Sequence, residues 1–275
     1  MALRQPARQA GIPTATWTWK AVAQFAREHC DQSLSRTSCL RYLHRLDFVR
    51  KRPKKQLVKA DADKRAAFVR TYADIVTDAE QAGATILFVD EAHFRADAEL
   101  AWLWTPRGKP ALVPSTSPRR AEKAAYYSAV CLETGSLEVM ELVGTSKAAT
   151  SVAFLQQLRA SHVEPLIVIW DNAPAHRGEE LRTYLSTPKL RLRLVALPAY
   201  SPDYNADEAI WKWARAEVTA NTCWGSASRV KAELAGFFTG LATRADEVRQ
   251  RCRSQLQADL MTWHAEHGHP TCASV

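Results

Sequence analysis

A chain of 275 residues can bury one full hydrophobic core and carry a small appendage, or form one large domain. Its net charge of +8 is uneven: residues 1–60 carry 13 Lys or Arg against three acidic residues, and the remainder carries 24 against 26. Six cysteines lie far apart with no C-x-x-C pair and no apolar run approaches the roughly 20 residues that span a bilayer, which argues against a zinc finger, a disulfide framework, a membrane span or a secretory signal. The expectation is a soluble cytoplasmic protein with its binding charge in the N-terminal fifth.

In WTWKAVAQFAREHC, Trp19, Val22, Phe25 and Ala26 recur at the spacing of an amphipathic helix. Ser33 or Ser35 then caps a second helix, with Leu40, Leu43 and Leu46 on one face and Arg36, Arg41 and Arg45 on or beside the exposed side. Two short helices around a tight turn, with arginines on the second, form a helix-turn-helix pattern. The tract from Phe48 to Lys59 adds six basic side chains and no acid, among them Arg50, Lys51, Arg52, Lys54 and Lys55. Pro53 breaks any continuous helix there, so a wing or a phosphate-contacting linker is expected, and residues 17–59 are read as binding DNA. The plain alternative is a solvated basic linker beside a structural helix pair. Residues 61–81 form a mixed-charge helix with a stripe of Phe68, Tyr72, Ile75 and Val76, expected to bridge the two parts of the chain.

In ILFVDEAHF, Ile86, Phe88 and Asp90 share one strand face while Leu87, Val89 and Glu91 share the other; both faces are apolar, as in a central strand. LAWLWTPRG, AAYYSAVCL and LEVMELVG are expected as further strands, with ETGS as a hairpin turn between the last two. TSVAFLQQLRASH reads as a helix, and LIVIWD as a second buried strand ending on Asp171, with Asn172 and His176 in the loop before the helix GEELRTYL. LRLVALPAYSPDYN is a third strand running into a loop broken by Pro198 and Pro202. Asn205 is expected to cap the helix ADEAIWKWARAEVTA, where Glu208 lies in the first turn and competes with Asp203 and Asp207 as a third acid for the site. Trp211 and Trp213 point nearly opposite ways, so one is expected in the core and the other against the linker, a partner or DNA.

A lone Asp ending a strand is more often a turn or cap residue than a ligand. Two such acids at neighbouring strand ends, with a helix-borne Glu, describe a divalent-metal site instead, because uncompensated burial of carboxylates is expensive. Two hard cations about 4 Å apart would suit three carboxylates, one activating water or a 3′-hydroxyl and the other steadying the leaving oxygen. Oxygen ligands and the lack of a compact His/Cys cluster favour Mg²⁺ over Zn²⁺, with Mn²⁺ as a substitute. No G-x-x-x-x-G-K-[ST] sequence is present, which speaks against coupling to ATP hydrolysis.

In FVDEAHF, IVIWDNAPAH and LPAYSPDYNADEAIWKW the chain resembles the Asp-Asp-Glu transposases of bacterial insertion sequences in the mariner-like superfamily. The resemblance implies a ribonuclease-H-like α/β fold, a mixed sheet flanked by helices, preceded by a small winged helix-turn-helix-like domain. It implies Asp90, Asp171 and Glu208 as the catalytic, metal-binding triad, choosing Glu208 over Asp207; Asn172, Tyr200, Ser201 and Asn205 are candidate supporting residues, as are His93 and His176, whose plain alternative is satisfied loop histidines. Thirty-six residues separate Asp171 from Glu208, within the superfamily's interval, while Ala199 and Ala206 stand where that family commonly has proline. The implied domains are residues 1–59 for DNA binding, 60–82 as a linker helix, 83–265 for catalysis and 266–275 as a flexible tail. The implied partners are double-stranded DNA, namely terminal inverted repeats and target DNA, bound by a homodimer in association with the nucleoid. Only one helix-turn-helix unit precedes the catalytic part where the family usually has two, so the first unit is expected either to be missing or to be supplied by a separate N-terminal DNA-binding polypeptide. A structure-selective nuclease and a catalytically silent DNA-binding derivative are the alternatives.

Overall fold

The computed structural model describes residues 2–51, 60–116, 122–144, 146–173 and 178–267, and the chain divides into two compact units, Met1–Gln56 and Leu57–Val275. Arg52, Lys54, Lys55 and His176, with the rest of the basic tract over 52–59 and the tail from 268, lie outside the described residues.

The first unit holds helices α1 (Trp19–Cys30) and α2 (Arg36–Arg45). The Thr18 hydroxyl accepts from the Ala21 N–H at 3.2 Å and that of Ser35 from the Ser38 N–H at 3.1 Å, each satisfying a donor that the first turn leaves open. Ser35 is thus the cap, not Ser33. Ala7, Ile12 and Ala21 form a small core with Trp17 and Phe25 against it. On α2 the buried position is Cys39, with Leu43 half-buried one turn on, whereas Leu40 and Leu46 are exposed, so the expected leucine face packs only in part. Arg36, Arg41, Arg45, Arg50 and Lys51 are all exposed.

The second unit is built on a five-stranded sheet of β1 (Thr85–Arg95), β2 (Lys123–Val130), β3 (Leu137–Glu141), β4 (Leu166–Trp170) and β5 (Leu192–Ala196), in the order β3-β2-β1-β4-β5. β1, β2 and β3 pair antiparallel, and β1, β4 and β5 pair parallel. The period-two alternation of β1 explains why helices cover both faces. Phe88 and Phe94 join Tyr126, Ile167 and Ile169 in a core shared with α3 (Ala62–Ala82), α6 (Glu208–Ala214), α7 (Ala227–Leu241), α8 (Ala245–Arg251) and α9 (Gln255–His267). Leu87 and Val89 on the other face pack with Tyr127, Val168 and Trp170 against α4 (Ala148–Ser161) and α5 (Glu179–Leu185). Gly135, at φ +73°, makes the β2–β3 turn, where a Cβ would collide with the Ala245 carbonyl.

Three expectations give way here. Helix α3, expected as a linker, belongs to the second unit: Phe68, Tyr72 and Ile75 are buried in that unit's core, and the helix packs on α9. LAWLWTPRG is not a strand, and Trp102 and Trp104 are exposed; β2 and β4 already occupy both hydrogen-bonding edges of β1, and an isolated bridge from Glu99 to Ala220 lies just before the segment. Its ends are gathered by Asp97, which accepts from the Ser115 hydroxyl and the Thr116 N–H, each at 3.0 Å. Finally, Trp211 and Trp213 are both buried. Trp211 meets Phe94 and Phe238, and Trp213 meets Phe237 and lies against the guanidinium groups of Arg244 and Arg251, because α6 is covered on both sides.

Candidate active site

Phe88 and Ile169 are the last paired positions of the parallel β1–β4 ladder, and two residues beyond each stand Asp90 and Asp171. The sheet itself therefore places these two acids side by side, Asp171 just past the end of β4 and Asp90 in the middle of β1, not at a strand end as expected, because β1 runs on beside β2 to Arg95. β5 leads into the loop of Leu197, Pro198, Ala199, Tyr200, Ser201 and Pro202, with Tyr200 at φ +58°, and α6 then opens on Glu208. The three acids line one cleft of about 460 Å³ together with Asn172, Tyr200, Ser201 and Asn205.

The loop is fastened on several sides. The Asn172 side-chain amide donates to the Leu197 carbonyl, joining the end of β4 to the end of β5. Asp171 accepts from the Ala173 N–H at 2.9 Å, and the buried Asn205 donates to the Val89 carbonyl at 2.8 Å. Asn205 does not serve as the cap of α6; Asp207 occupies that position without a side-chain cap bond, and the helix passes into a π turn over Arg215–Thr219.

The rival acids are engaged elsewhere. Asp203 takes a bidentate pair from Arg65 at 2.8 and 2.7 Å, and that guanidinium holds its carboxyl below the ordinary range. Asp207 is fully buried and accepts from the Ser128 hydroxyl; burial, and then the neighbouring Asp90, push its carboxyl well above the ordinary range. Glu208 is 31% exposed, 3.8 Å from Lys212, and opens on the cleft. His93 is not part of the cleft: three residues after Asp90 on β1, it faces the opposite side of the sheet and is exposed.

Asp90 carries the electrostatic signature of the site. Burial first, then the charge of Glu208 and to a smaller extent those of Glu91 and Asp171, push its carboxyl up to about 8 against the opposing pull of the Glu91 N–H. Among the described residues no group of three His, Cys, Asp or Glu is drawn together closely enough to hold an ion as it stands. What the cleft offers is a set of hard oxygen donors whose mutual repulsion a cation would relieve. Ser128 and Arg65 escaped sequence reasoning; the one available signal for Ser128 was a lone hydroxyl within the apolar run AAYYSAV.

Residues 13–72 match a family model described as a winged helix-turn helix. An uncharacterized 39 kDa protein of insertion element IS630 from Shigella sonnei is 29% identical over 140 residues, which are 50% of this chain and 39% of that relative, so the match spans well under half of the relative's length. Among solved structures, a pre-cleavage Mos1 transpososome superposes with a TM-score of 0.63 at 17% identity, covering 94% of this chain and 79% of that one. The Mos1 strand transfer complex gives 0.62 at 17% identity, covering 93% and 78%. The likeness is one of fold: a ribonuclease-H-like mixed sheet flanked by helices, preceded by a winged helix-turn-helix domain. With the model for the DDE superfamily endonuclease matching residues 85–231, more than half of its length, the chain belongs to that family.

Proposed function

We propose that this chain is a DNA transposase, hydrolysing phosphodiesters at the ends of a mobile element and joining the freed 3′ ends to target DNA. One observation carries this reading: Asp90, Asp171 and Glu208 share a single open cleft, while Asp203 and Asp207 are taken up by Arg65 and Ser128. The relative from insertion element IS630 and the Mos1 complexes support it.

In this reading Asp90, Asp171 and Glu208 are the residues that hold divalent cations, Mg²⁺ with Mn²⁺ as a substitute and two ions per site. Such ions supply charge neutralisation at the attacking and leaving oxygens of an in-line displacement. The chain's own part is to hold the donors. Neighbouring strands fix Asp90, within β1, and Asp171, just past β4, the loop fastened by Asn172 and Asn205 brings Glu208 to them, and Asp90 would give up its proton on becoming a ligand. The exposed Arg36, Arg41, Arg45, Arg50 and Lys51, with Arg52, Lys54 and Lys55, contact the phosphates of double-stranded DNA, including terminal inverted repeats. Two copies of the chain on paired ends make the working unit.

The test is cleavage of end-containing DNA in Mg²⁺ or Mn²⁺ by Asp90→Asn, Asp171→Asn and Glu208→Gln. Each substitution is expected to abolish cleavage while DNA affinity stays within about threefold, since phosphate contacts dominate binding. Retained cleavage by any of them overturns the triad. A strand-transfer assay on precleaved ends, negative where cleavage is positive, would replace the transposase with a nuclease.

A further inference from the structure

Directly across the β1–β2 ladder from Asp90 stands Ser128, on the same face of the sheet. Its hydroxyl donates to the carboxylate of Asp207, the residue immediately before Glu208, and both side chains are completely buried. The second oxygen of Asp207 has no hydrogen-bond partner among the described residues. An apolar pair of similar volume would fill this position without stranding a buried polar atom. The hydroxyl–carboxylate pair therefore contributes direction more than cohesion. It ties the first turn of α6 to the strand beside Asp90, and the next side chain along, Glu208, opens on the same cleft as Asp90.

We propose that Ser128 and Asp207 form a positioning clip that sets where Glu208 stands relative to Asp90, and through it the affinity of the cleft for divalent cations. Neither residue is a ligand. The inference rests on the assignment of Asp90, Asp171 and Glu208 as cation-holding residues. An apolar filler at either position would keep the packing but remove the side-chain tie between the start of α6 and β2, leaving that end of the helix held to the sheet through Asn205.

The experiment is titration of Mn²⁺ alone into the full chain, with free Mn²⁺ followed by electron paramagnetic resonance, alongside thermal unfolding. The double variant Ser128→Ala with Asp207→Val is expected to melt near the parent protein and to bind Mn²⁺ about tenfold or more weakly, whereas Asp207→Asn, which keeps an acceptor for Ser128, is expected to stay within about twofold. If the double variant does not fold, Ser128→Ala alone carries the same expectation of weakened binding. Parental affinity in a folded variant lacking the Ser128 hydroxyl overturns the clip. Equal losses in Asp207→Asn and the double variant trace the effect to charge and overturn it as well. Glu208→Gln separates the two levels: if it weakens binding and the clip variants do not, only the clip fails, and if it binds as the parent does, the cation assignment fails and the clip with it.

Discussion

The side-chain amide of Asn205 donates to the backbone carbonyl of Val89 at 2.8 Å, one residue before Asp90. Its own oxygen accepts from the Asp207 N–H at 3.1 Å, one residue before Glu208. A single buried side chain thus fastens the start of α6 to the central strand. Asn205→Ala leaves a buried carbonyl and a buried N–H without partners, and the expected cost is about 2–4 kcal/mol in chemical denaturation. A loss below about 0.5 kcal/mol, the range of an ordinary surface substitution, would show that the loop holds without this residue.

Arg65 fastens the same loop from α3. Its fork meets both oxygens of Asp203, its guanidinium lies 3.8 Å from the centre of the Tyr204 ring, and the Tyr204 hydroxyl donates to Asp259 on α9. Asp203 is half exposed, so the Coulombic part is screened and the flat, stacked fork matters more than the charge. Arg65→Lys is expected to lower stability by about 1–2 kcal/mol, read as a fall in Tm of about 2–6 °C. An unchanged Tm would reduce the contact to an incidental surface pair.

At the opposite end of the sheet, the His162 ring nitrogens meet Glu164 at 2.6 Å and Glu138 at 2.7 Å, and the Thr85 hydroxyl donates to Glu164 at 2.8 Å. Its own N–H, the His162 ring and the Thr85 hydroxyl hold the Glu164 carboxyl down to about 2, from an ordinary value of 4.5. A depressed carboxylate gives stability that is fully present above its unfolded value and is lost as pH falls through the folded one. The contribution is therefore whole above pH 4.5 and disappears toward pH 2. Glu164→Gln is expected to flatten the acid limb of the stability profile over that window. An acid limb of unchanged steepness would remove Glu164 from it.

Charge in the first unit bears on a different measurement. Replacing Arg50, Lys51, Arg52, Lys54 and Lys55 by alanine is expected to weaken DNA binding, with the slope of log K against log salt flattening by about 0.9 for each phosphate that is no longer neutralised. Asp90→Asn should leave that slope as it was. A salt slope unaltered by the five substitutions would deny these side chains any role at the phosphates.

The strands that carry Asp90 and Asp171 were legible in the sequence because continuous apolar runs ending in an acid have few other interpretations, and helix α3 was legible from its stripe. LAWLWTPRG misled because an apolar run states a preference for burial, not the presence of an edge to pair with, and β1 had none left. Both tryptophans of α6 were misjudged in part for a related reason: helical azimuth tells which way a side chain points, not what α7 and α8 bring to meet it.

Sequence by itself determined the acids, the apolar strands that lead into them, the basic N-terminal segment and the resemblance of three short stretches to one family, because these are properties of local order along the chain. Only the tertiary structure supplied the physical reason why Glu208, which the family resemblance had chosen over Asp207, opens on the cleft while Asp203 and Asp207 are held elsewhere. That outcome turns on Arg65 and Ser128, each separated from its acid by well over half a hundred residues, and a hydrogen bond between such distant groups exists only once the sheet and its covering helices have closed.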